Sequence, residues 1–290
     1  MDPKTIKLPN VRNLFIPDPG HIICDIDLSG ADAQVVAWEA NDHQLKEAFR
    51  NGLDVHSANG TAIWGDSFLP KKKRPGARFE MRDECKRAVH ATNYGVSSRT
   101  LAITLGWKVV EADSFKSKWF RLHPGILEWH RRTERNLQTG RKVWNAFGDS
   151  RTYFDRVDAL LPQALAWVPQ STVGLVAAEA EINLQSIPWL DMLLEVHDSL
   201  IFQLPYHRFT PSNLETIQRH VQVEVPYPDP LVIPWGLAFS DKSWGQCKKA
   251  KWDLSNVEES EARRLTSVGC ALPERSPEVG GSPAANQQPA

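Results

Sequence analysis

One apolar stretch, LLEVHDSLIFQLP (residues 193–205), constrains the fold of this chain more than any other part of its sequence. Its two apolar runs flank His197, Asp198 and Ser199, and this pattern predicts a buried β-hairpin with an imidazole and a carboxylate at its tip. An Ile-rich strand is also predicted over residues 21–28, with Asp27 near its end. If the two strands are neighbours, both aspartates emerge at one edge of a sheet.

Two carboxylates at one sheet edge repel each other, and each raises the pKa of the other unless a cation lies between them. Mg²⁺ suits an all-oxygen site of this kind, which it shares with the phosphates of a substrate. Two such ions can hold the attacking and leaving oxygens of a phosphoryl transfer. The other interpretation is that Asp27 and Asp198 each cap a helix or a turn.

A basic helix is predicted over RDECKRAVHATNYG, in which Arg82, Lys86 and His90 are spaced by four residues and Tyr94 continues the row. This spacing places the four side chains on one helix face. Such a face suits a triphosphate at its cationic end and a base or sugar at its aromatic end. An ordinary solvated helix face with a tyrosine anchor is the alternative.

Positive charge is concentrated between Lys71 and Arg99, where nine Lys and Arg residues accompany only three acids, although the formal net charge of the chain is -1. The net charge argues against a uniformly basic nucleic-acid binder, whereas the local excess is consistent with an anion site. The KKKR run at residues 71–74 is more often typical of a solvated loop, and only its surroundings decide between the two.

Composition and length favour a globular protein of one large domain or two small ones, since the chain has 290 residues of which 41% are hydrophobic. Strands are predicted near both ends and helices between them, an α+β layout. The four cysteines lack paired or metal-like spacing, which suits a reducing cytosol. No signal peptide or membrane-spanning run is found. From Asp253 onward, sparse apolar residues predict a disordered tail over residues 253–290.

Taken together, these residues resemble family A DNA polymerases, a group that includes many phage replicative enzymes. The resemblance covers residues 6–249 and is specific because six segments keep the family's order and separations. They are LPNVRNLFIPDPGH, DIDLSGADAQVVAW (motif A), GLDVHSANGTAIWG, RDECKRAVHATNYG (motif B), WVPQSTVG and EVHDSL (motif C).

The resemblance implies an α+β fold over residues 1–252. In it, a palm of antiparallel strands backed by helices carries an inserted helical fingers subdomain at roughly residues 41–165. The family's thumb and exonuclease domain are expected to be absent. The implied activity is template-directed addition of deoxynucleotides to a primer 3′ end, by two-metal nucleotidyl transfer. We expect a truncated or split phage replication enzyme in the cytoplasm of a bacterial host cell. A separate chain would then supply the missing domains.

For the chemistry, the resemblance implies that Asp27 and Asp198 hold two Mg²⁺ ions, with the main-chain carbonyl of Leu28 as a further ligand. Arg82 and Lys86 would neutralise the triphosphate, and Lys86 would protonate the leaving pyrophosphate. Charge stabilisation and positioning of this kind accelerate phosphoryl transfer in general.

For the substrates, the resemblance implies that His56 donates a hydrogen bond to the phosphates and that Tyr94 stacks near the template base. His197 would support the primer terminus. Gln170 would contact the minor groove or the primer strand. The expected partners are therefore dNTPs and primer-template DNA, with no membrane.

Four positions depart from the family's pattern. Asp32 replaces a glutamate that crowds the sugar 2′ position, and His90 replaces an aromatic residue of the nucleotide-binding helix. These two changes put discrimination against ribonucleotides in doubt. Ser199 replaces a common glutamate after the motif C aspartate, and Ala166 replaces an asparagine. We expect two aspartates to suffice and one minor-groove contact to be missing.

Two other functions remain open at this point. The first is a single-subunit, phage-type RNA polymerase, a group that shares the motif B spacing and carries HDS at motif C. Asp32, where those enzymes have a small glycine, and the GLDVH segment favour a DNA polymerase instead. The second is a non-catalytic DNA-binding remnant. Against decay of its site stand the intact residues Asp27, Asp198, Arg82 and Lys86, but these do not argue against inactivity of the isolated chain.

Overall fold

The computed structural model describes residues 9–154 and 160–257 of the chain. Most of the tail for which disorder is predicted, residues 258–290, lies outside the described residues. Residues 253–257 form turns after the last strand, and the amide of Leu254 donates to the carbonyl of Lys251 at 2.9 Å. Among the described helices, none is long and apolar enough to cross a membrane.

A five-stranded sheet forms the centre of the fold, and two small two-stranded sheets accompany it. Every pair of neighbouring strands is antiparallel. The central sheet has the order β4-β5-β1-β8-β9, while β2 pairs with β3 and β6 with β7. The strands are β1 His21–Leu28, β2 Lys142–Trp144, β3 Ser150–Thr152, β4 Asp191–Val196, β5 Ser199–Pro205, β6 Glu224–Val225, β7 Leu231–Val232, β8 Trp235–Ser240 and β9 Lys248–Ala250.

Helices fill the chain between β1 and β4 and recur after β5. Side chains of Asp42, Asp54, Ser97 and Thr210 accept backbone amides at four of their N-termini, the common way to satisfy the first free N–H groups of a helix. The helices are α1 Ala31–Glu39, α2 His43–Arg50, α3 Val55–Trp64, α4 Met81–Asn93, α5 Ser98–Leu105, α6 Val109–Leu122, α7 Pro124–Gly140, α8 Leu161–Leu184 and α9 Pro211–His220.

The two faces of β1 have different environments because successive side chains of a strand point to opposite sides. Ile22, Ile26 and Leu28 lie in the main core. On the other face, Ile23 packs with Ile201 and Trp244 in a small separate cluster, and Asp25 and Asp27 follow it along the strand. The carboxylate of Asp27 therefore lies on the face that the main core leaves free.

Several predicted elements are confirmed: the strand at residues 21–28, the hairpin around Asp198 and the basic helix that carries Lys86. The α+β layout with an antiparallel sheet is also confirmed. Gly30, not Ser29, is the N-cap residue of α1, at a left-handed φ of 61°, and no side chain caps this helix. Such a backbone conformation costs glycine little.

The segment from Leu231 to Gln246 contains two strands, β7 and β8, and a 3₁₀ turn at Trp244–Gln246. Pro234 lies between the two strands and has no N–H for a ladder hydrogen bond, which is the physical reason for the break. Helix α9 and strand β9 were not predicted from the sequence. A signal was present for α9, since Thr210 caps this helix and Pro211 is its first residue.

Candidate nucleotide and metal site

Asp27 and Asp198 line the same cavity because the hairpin of β4 and β5 lies beside β1. Asp27 pairs with Ser199, the first residue of β5, and the amide of Leu28 donates to the carbonyl of Asp198 at 3.0 Å. The turn is tight, since His197 has a left-handed φ of 59°. Both carboxylates line one cavity of about 320 Å³.

The cavity lies between the sheet edge, helix α1 and the inner face of α4. It brings together eight of the residues that the sequence predicted for the site, and does not include three others. The eight are Asp27, Leu28, Asp32, His56, Lys86, His90, Tyr94 and Asp198. The three that do not line it are Arg82, Gln170 and His197; Gln170 is exposed on α8, and His197 is exposed at the hairpin turn.

Arg82 lies one helical turn before Lys86 and makes an ion pair with Asp54, the residue that caps α3. Its Nε and one terminal nitrogen donate to the two carboxylate oxygens at 2.7 and 2.8 Å. This pair holds the pKa of Asp54 well below its usual range, with a smaller contribution from Ser57. A triphosphate that used Arg82 would therefore have to replace Asp54 as its partner.

Asp32 and Tyr94 join the two walls of the cavity. The Tyr94 hydroxyl donates to Oδ2 of Asp32 at 2.7 Å, and the ring of His90 packs edge-on against Tyr94 with 4.4 Å between centroids. Burial, together with the neighbouring Asp32 carboxylate, raises the pKa of Tyr94 well above its usual value. Tyr94 is thus a neutral donor held in place by a carboxylate.

His56 extends from the first turn of α3 into the cavity. Burial lowers its pKa to about 4, and the nearby positive charges of Lys86 and Arg82 add to the effect. Its Nδ1 is buried and has no hydrogen-bond partner within the described residues. At neutral pH His56 is therefore an uncharged imidazole beside a cation, suited to donating a hydrogen bond to an anion.

Two aromatic residues outside the cavity fix the C-terminal end of α4. The indole N–H of Trp119 donates to Oδ1 of Asn93 at 2.9 Å, and Nε2 of His130 donates to the main-chain carbonyl of Asn93 at 2.8 Å. Burial lowers the pKa of His130 to about 4, so this donor stays neutral. Since Asn93 precedes Tyr94, these contacts define where the Tyr94 ring lies.

Sequence reasoning missed Gly236, which faces Asp27 from β8. A Cβ atom at this position would lie 2.9 Å from Oδ1 of Asp27, closer than packed atoms allow. A lone glycine inside a strand often marks such a close approach, so a signal was present. Asp54 was missed as well, because only the folded chain brings it to Arg82.

The donor set at the sheet edge suits Mg²⁺. Asp27 is exposed and Asp198 half-buried, so two carboxylates meet water and any bound phosphate there. Magnesium is commonly held in this way, by one or two carboxylates with water and substrate oxygens completing its shell. No cluster of three or more His, Cys, Asp or Glu ligands occurs in the described part of the chain. The described residues therefore do not form a metal site made of protein side chains alone.

This fold is found in solved polymerases. The polymerase domain of Pol1 from M. smegmatis, solved in complex with DNA primer-template and dNTP, superposes with a TM-score of 0.69 at 20% identity, covering 82% of this chain and 42% of that one. The family model for DNA polymerase family A matches residues 3–239. The chain belongs to DNA polymerase family A.

The curated relatives are longer proteins. DNA polymerase I of Caldicellulosiruptor bescii is 25% identical over 77% of this chain, and the match spans 27% of that protein. The DNA polymerase of Mycobacterium phage D29 is 26% identical over 81% of this chain, and the match spans 37% of that protein. The chain thus spans about a quarter to a third of the length of these relatives.

Proposed function

We propose that this chain performs template-directed DNA synthesis, adding deoxynucleotides to the 3′ end of a primer. The observation that carries the proposal is a single cavity in which Asp27 and Asp198 lie opposite Lys86, His90 and Tyr94. Nucleotidyl transfer can use carboxylates to hold a divalent cation and a positive side chain to bind phosphates. An aromatic ring beside them can pack against a sugar or base. Two findings support the proposal: the chain belongs to DNA polymerase family A, and its fold matches that of a polymerase domain solved with DNA primer-template and dNTP.

In this proposal Asp27, Asp198 and the carbonyl of Leu28 hold two Mg²⁺ ions. Bound magnesium supplies charge neutralisation for the attacking and leaving oxygens. Lys86 contacts the triphosphate and gives a proton to the leaving pyrophosphate, and His56 donates to a phosphate oxygen. Arg82 joins them once it leaves Asp54. Preorganised charges of this kind supply most of the acceleration in phosphoryl transfer.

Sugar selection is assigned to the pair formed by Asp32 and Tyr94, with His90 beside it. The Tyr94 hydroxyl holds Asp32 at the cavity wall. This contact supports the assignment of Asp32, one methylene shorter than glutamate, as the group that would meet a 2′-hydroxyl. The 2′-OH is what distinguishes RNA from DNA at a site. This contact is the reason to favour DNA synthesis over the second candidate, a phage-type RNA polymerase.

The division of labour follows the topology. The five-stranded sheet and α8 would act as the palm, and the helices from α2 to α7 would act as the fingers. His197, at the hairpin tip, would support the primer terminus, and Gln170 on α8 would contact the DNA. A separate chain that grips the duplex would be a further partner, because phosphate contacts dominate affinity for DNA.

Primer extension tests the proposal. The purified chain is given a primed template, Mg²⁺ and dNTPs, beside Asp198→Asn, Asp27→Asn and the exposed control Asp191→Asn from the same hairpin. We expect extension by the wild type and the control and a loss of at least 100-fold in the two site variants, because each removes a metal ligand. Equal rates in all four proteins would refute the assignment.

A chain that needs a partner to hold DNA still has to bind nucleotide, so Mg²⁺-dependent binding of a fluorescent dNTP is measured alongside. Binding that Asp27→Asn and Asp198→Asn weaken supports the site even where extension is slow. A folded chain that shows neither extension nor Mg²⁺-dependent binding would overturn the proposed function. The ratio of dNTP to NTP use then separates DNA from RNA synthesis, and a preference for NTPs would favour the second candidate.

A further inference from the structure

A second positively charged region lies outside the cavity, on the loop of residues 70–80 that precedes α4; we call it the basic loop. Lys71, Lys72, Lys73 and Arg78 on this loop are all exposed. Within the described residues none of the four makes an ion pair, whereas Arg74 is paired with the buried Glu84 at 2.8 Å. Four positive charges are therefore presented to solvent on a loop whose one acid is Glu80.

The basic loop is fastened to the start of α4. The amide of Met81 donates to the carbonyl of Lys72 at 2.8 Å, and the amide of Arg82 donates to the carbonyl of Pro70 at 3.2 Å. Lys73 and Glu80 form a β-bridge that closes the loop. The four cations consequently hold a defined position on the protein surface.

An open cleft of about 380 Å³ adjoins the loop at Arg74. We call it the aromatic cleft; its lining includes Trp64, Trp107, Phe115, Lys118 and the exposed Val110. Trp64, Trp107 and Phe115 pack together with centroid distances between 5.5 and 6.2 Å. The Arg74 guanidinium lies over both indole rings, 5.0 Å from one and 5.9 Å from the other. One acid, Glu111, lies at the rim, 3.9 Å from Arg74.

The four exposed cations of the basic loop do not line the catalytic cavity. The cavity contacts α4 from Lys86 onward, whereas the basic loop joins the helix at Met81 and Arg82. The five residues from Met81 to Lys86 rise about 7.5 Å at 1.5 Å per residue. The loop thus extends the positive surface beyond the cavity, where it is available to a ligand other than the bound nucleotide.

We propose that the basic loop and the aromatic cleft together bind a single strand of DNA. Lysines and arginine on a fixed loop contact successive phosphates, and the exposed parts of the indole rings, with Arg74, offer a surface on which a base stacks. Paired cationic and aromatic surfaces of this kind are how proteins bind single strands without sequence preference. This binding does not depend on catalysis, so it goes beyond the proposed polymerase activity.

The test is fluorescence anisotropy with a labelled 12-nucleotide oligo-dT, in EDTA and without nucleotide, so that the catalytic site is not engaged. Lys71→Ala combined with Lys72→Ala is compared with Lys242→Ala combined with Lys251→Ala, a pair of exposed lysines elsewhere that gives the same net charge. We expect the first variant to bind at least fivefold more weakly, and the second to bind as the wild type does. In the Lys71→Ala, Lys72→Ala variant, the slope of the logarithm of the binding constant against the logarithm of the salt concentration should become shallower by about 1.4. Each phosphate contact to a single strand contributes about 0.7 to this slope, and the variant loses two.

A second variant tests the cleft. Val110 is 77% exposed, so Val110→Glu adds a negative charge at the cleft without removing core packing, and Val110→Ala is its control. Weaker oligo-dT binding by Val110→Glu alone supports the cleft. Equal binding by the wild type and all variants would overturn the inference, as would equal competition by poly-glutamate, which would indicate a site for any polyanion. If the wild type extends primers and all variants bind oligo-dT equally, only this inference is refuted. If the wild type does not extend primers but its oligo-dT binding depends on Lys71 and Lys72, only the polymerase proposal is refuted.

Discussion

At the scale of single residues, Gly236 controls the space around the Asp27 carboxylate. Because an added Cβ would lie 2.9 Å from Oδ1, Gly236→Ala has to push the carboxylate aside. A misplacement of about 1 Å at a reacting centre costs on the order of 100-fold in rate. We expect a loss of that size in primer extension and a higher Mg²⁺ requirement. Gly174→Ala, which meets no atom within 4 Å in α8, is the matched control and should extend normally. A Gly236→Ala variant with wild-type Mg²⁺ dependence would contradict this role.

Arg82 and Asp54 form another residue-scale feature, since their ion pair competes with any phosphate for the guanidinium. Asp54→Asn keeps an N-cap acceptor for α3 and removes the negative charge. Both side chains are about 40% exposed, so the pair contributes only about 0.2–1 kcal/mol and the fold should tolerate its loss. We expect the KM for dNTP to fall about threefold in steady-state extension. Glu47→Gln, which removes one of the two acids paired with the exposed Arg50, should leave KM unchanged. A raised KM in Asp54→Asn would show that Asp54 orients Arg82 for binding.

At the scale of elements, α4 connects the two proposed binding regions and is fixed at both ends. Glu84, fully buried in its first turn, accepts hydrogen bonds from Arg74 and from the indole of Trp107. Removing one partner of a buried ion pair leaves the other charge uncompensated and costs about 3 kcal/mol. Glu84→Gln should therefore lower the free energy of unfolding by about that amount in urea titrations.

The structure offers a control for this prediction on the same arginine. Glu111 lies 3.9 Å from Arg74 and is 48% exposed, so Glu111→Gln should change the free energy of unfolding by less than about 0.5 kcal/mol. If Glu84→Gln and Glu111→Gln lowered the free energy of unfolding equally, burial would not explain the difference expected between the Arg74–Glu84 and Arg74–Glu111 ion pairs. The same anchor holds the basic loop, so we also expect Glu84→Gln to weaken oligo-dT binding.

At the scale of the whole molecule, buried histidines make stability depend on pH. Burial lowers the pKa of His130 to about 4, against 6.5 for a free histidine. Between these pH values the unfolded chain binds more protons than the folded chain, so the free energy of unfolding rises with pH from about 4 to 6.5. Above pH 6.5 the contribution of His130 is complete. A tenfold difference in proton affinity between the two states corresponds to about 1.4 kcal/mol. Allowing for residual hydration, we expect His130 to account for on the order of 2 kcal/mol of the loss in free energy of unfolding as the pH falls from about 6.5 to 4.

His130→Gln keeps an N–H donor for the Asn93 carbonyl and does not titrate. Its free energy of unfolding, measured in urea at pH 7 and pH 4.5, should fall less with acidification than that of the wild type. The exposed His43→Gln serves as the control and should retain the wild-type pH dependence. An unaltered pH dependence in His130→Gln would show that other groups dominate acid destabilisation. His56, whose pKa is also lowered to about 4, remains in both proteins and keeps part of the dependence.

The sequence by itself determined the strand that ends at Asp27, the hairpin around Asp198 and the helix that carries Lys86 and Tyr94. These follow from local pattern: alternating apolar residues, a two-residue turn and a four-residue spacing. It also predicted that both aspartates emerge at one sheet edge if the two strands are neighbours, and the strand order β4-β5-β1 meets that condition.

Only the tertiary structure decided which neighbours these residues have. Arg82 lies on the predicted helix face, yet Asp54, 28 positions earlier, holds it outside the cavity. Gly236 meets Asp27 across strands that are more than 200 residues apart in sequence. Local sequence fixes the secondary structure of each element. Ion pairs and close approaches depend on packing between distant segments, so no local pattern encodes them.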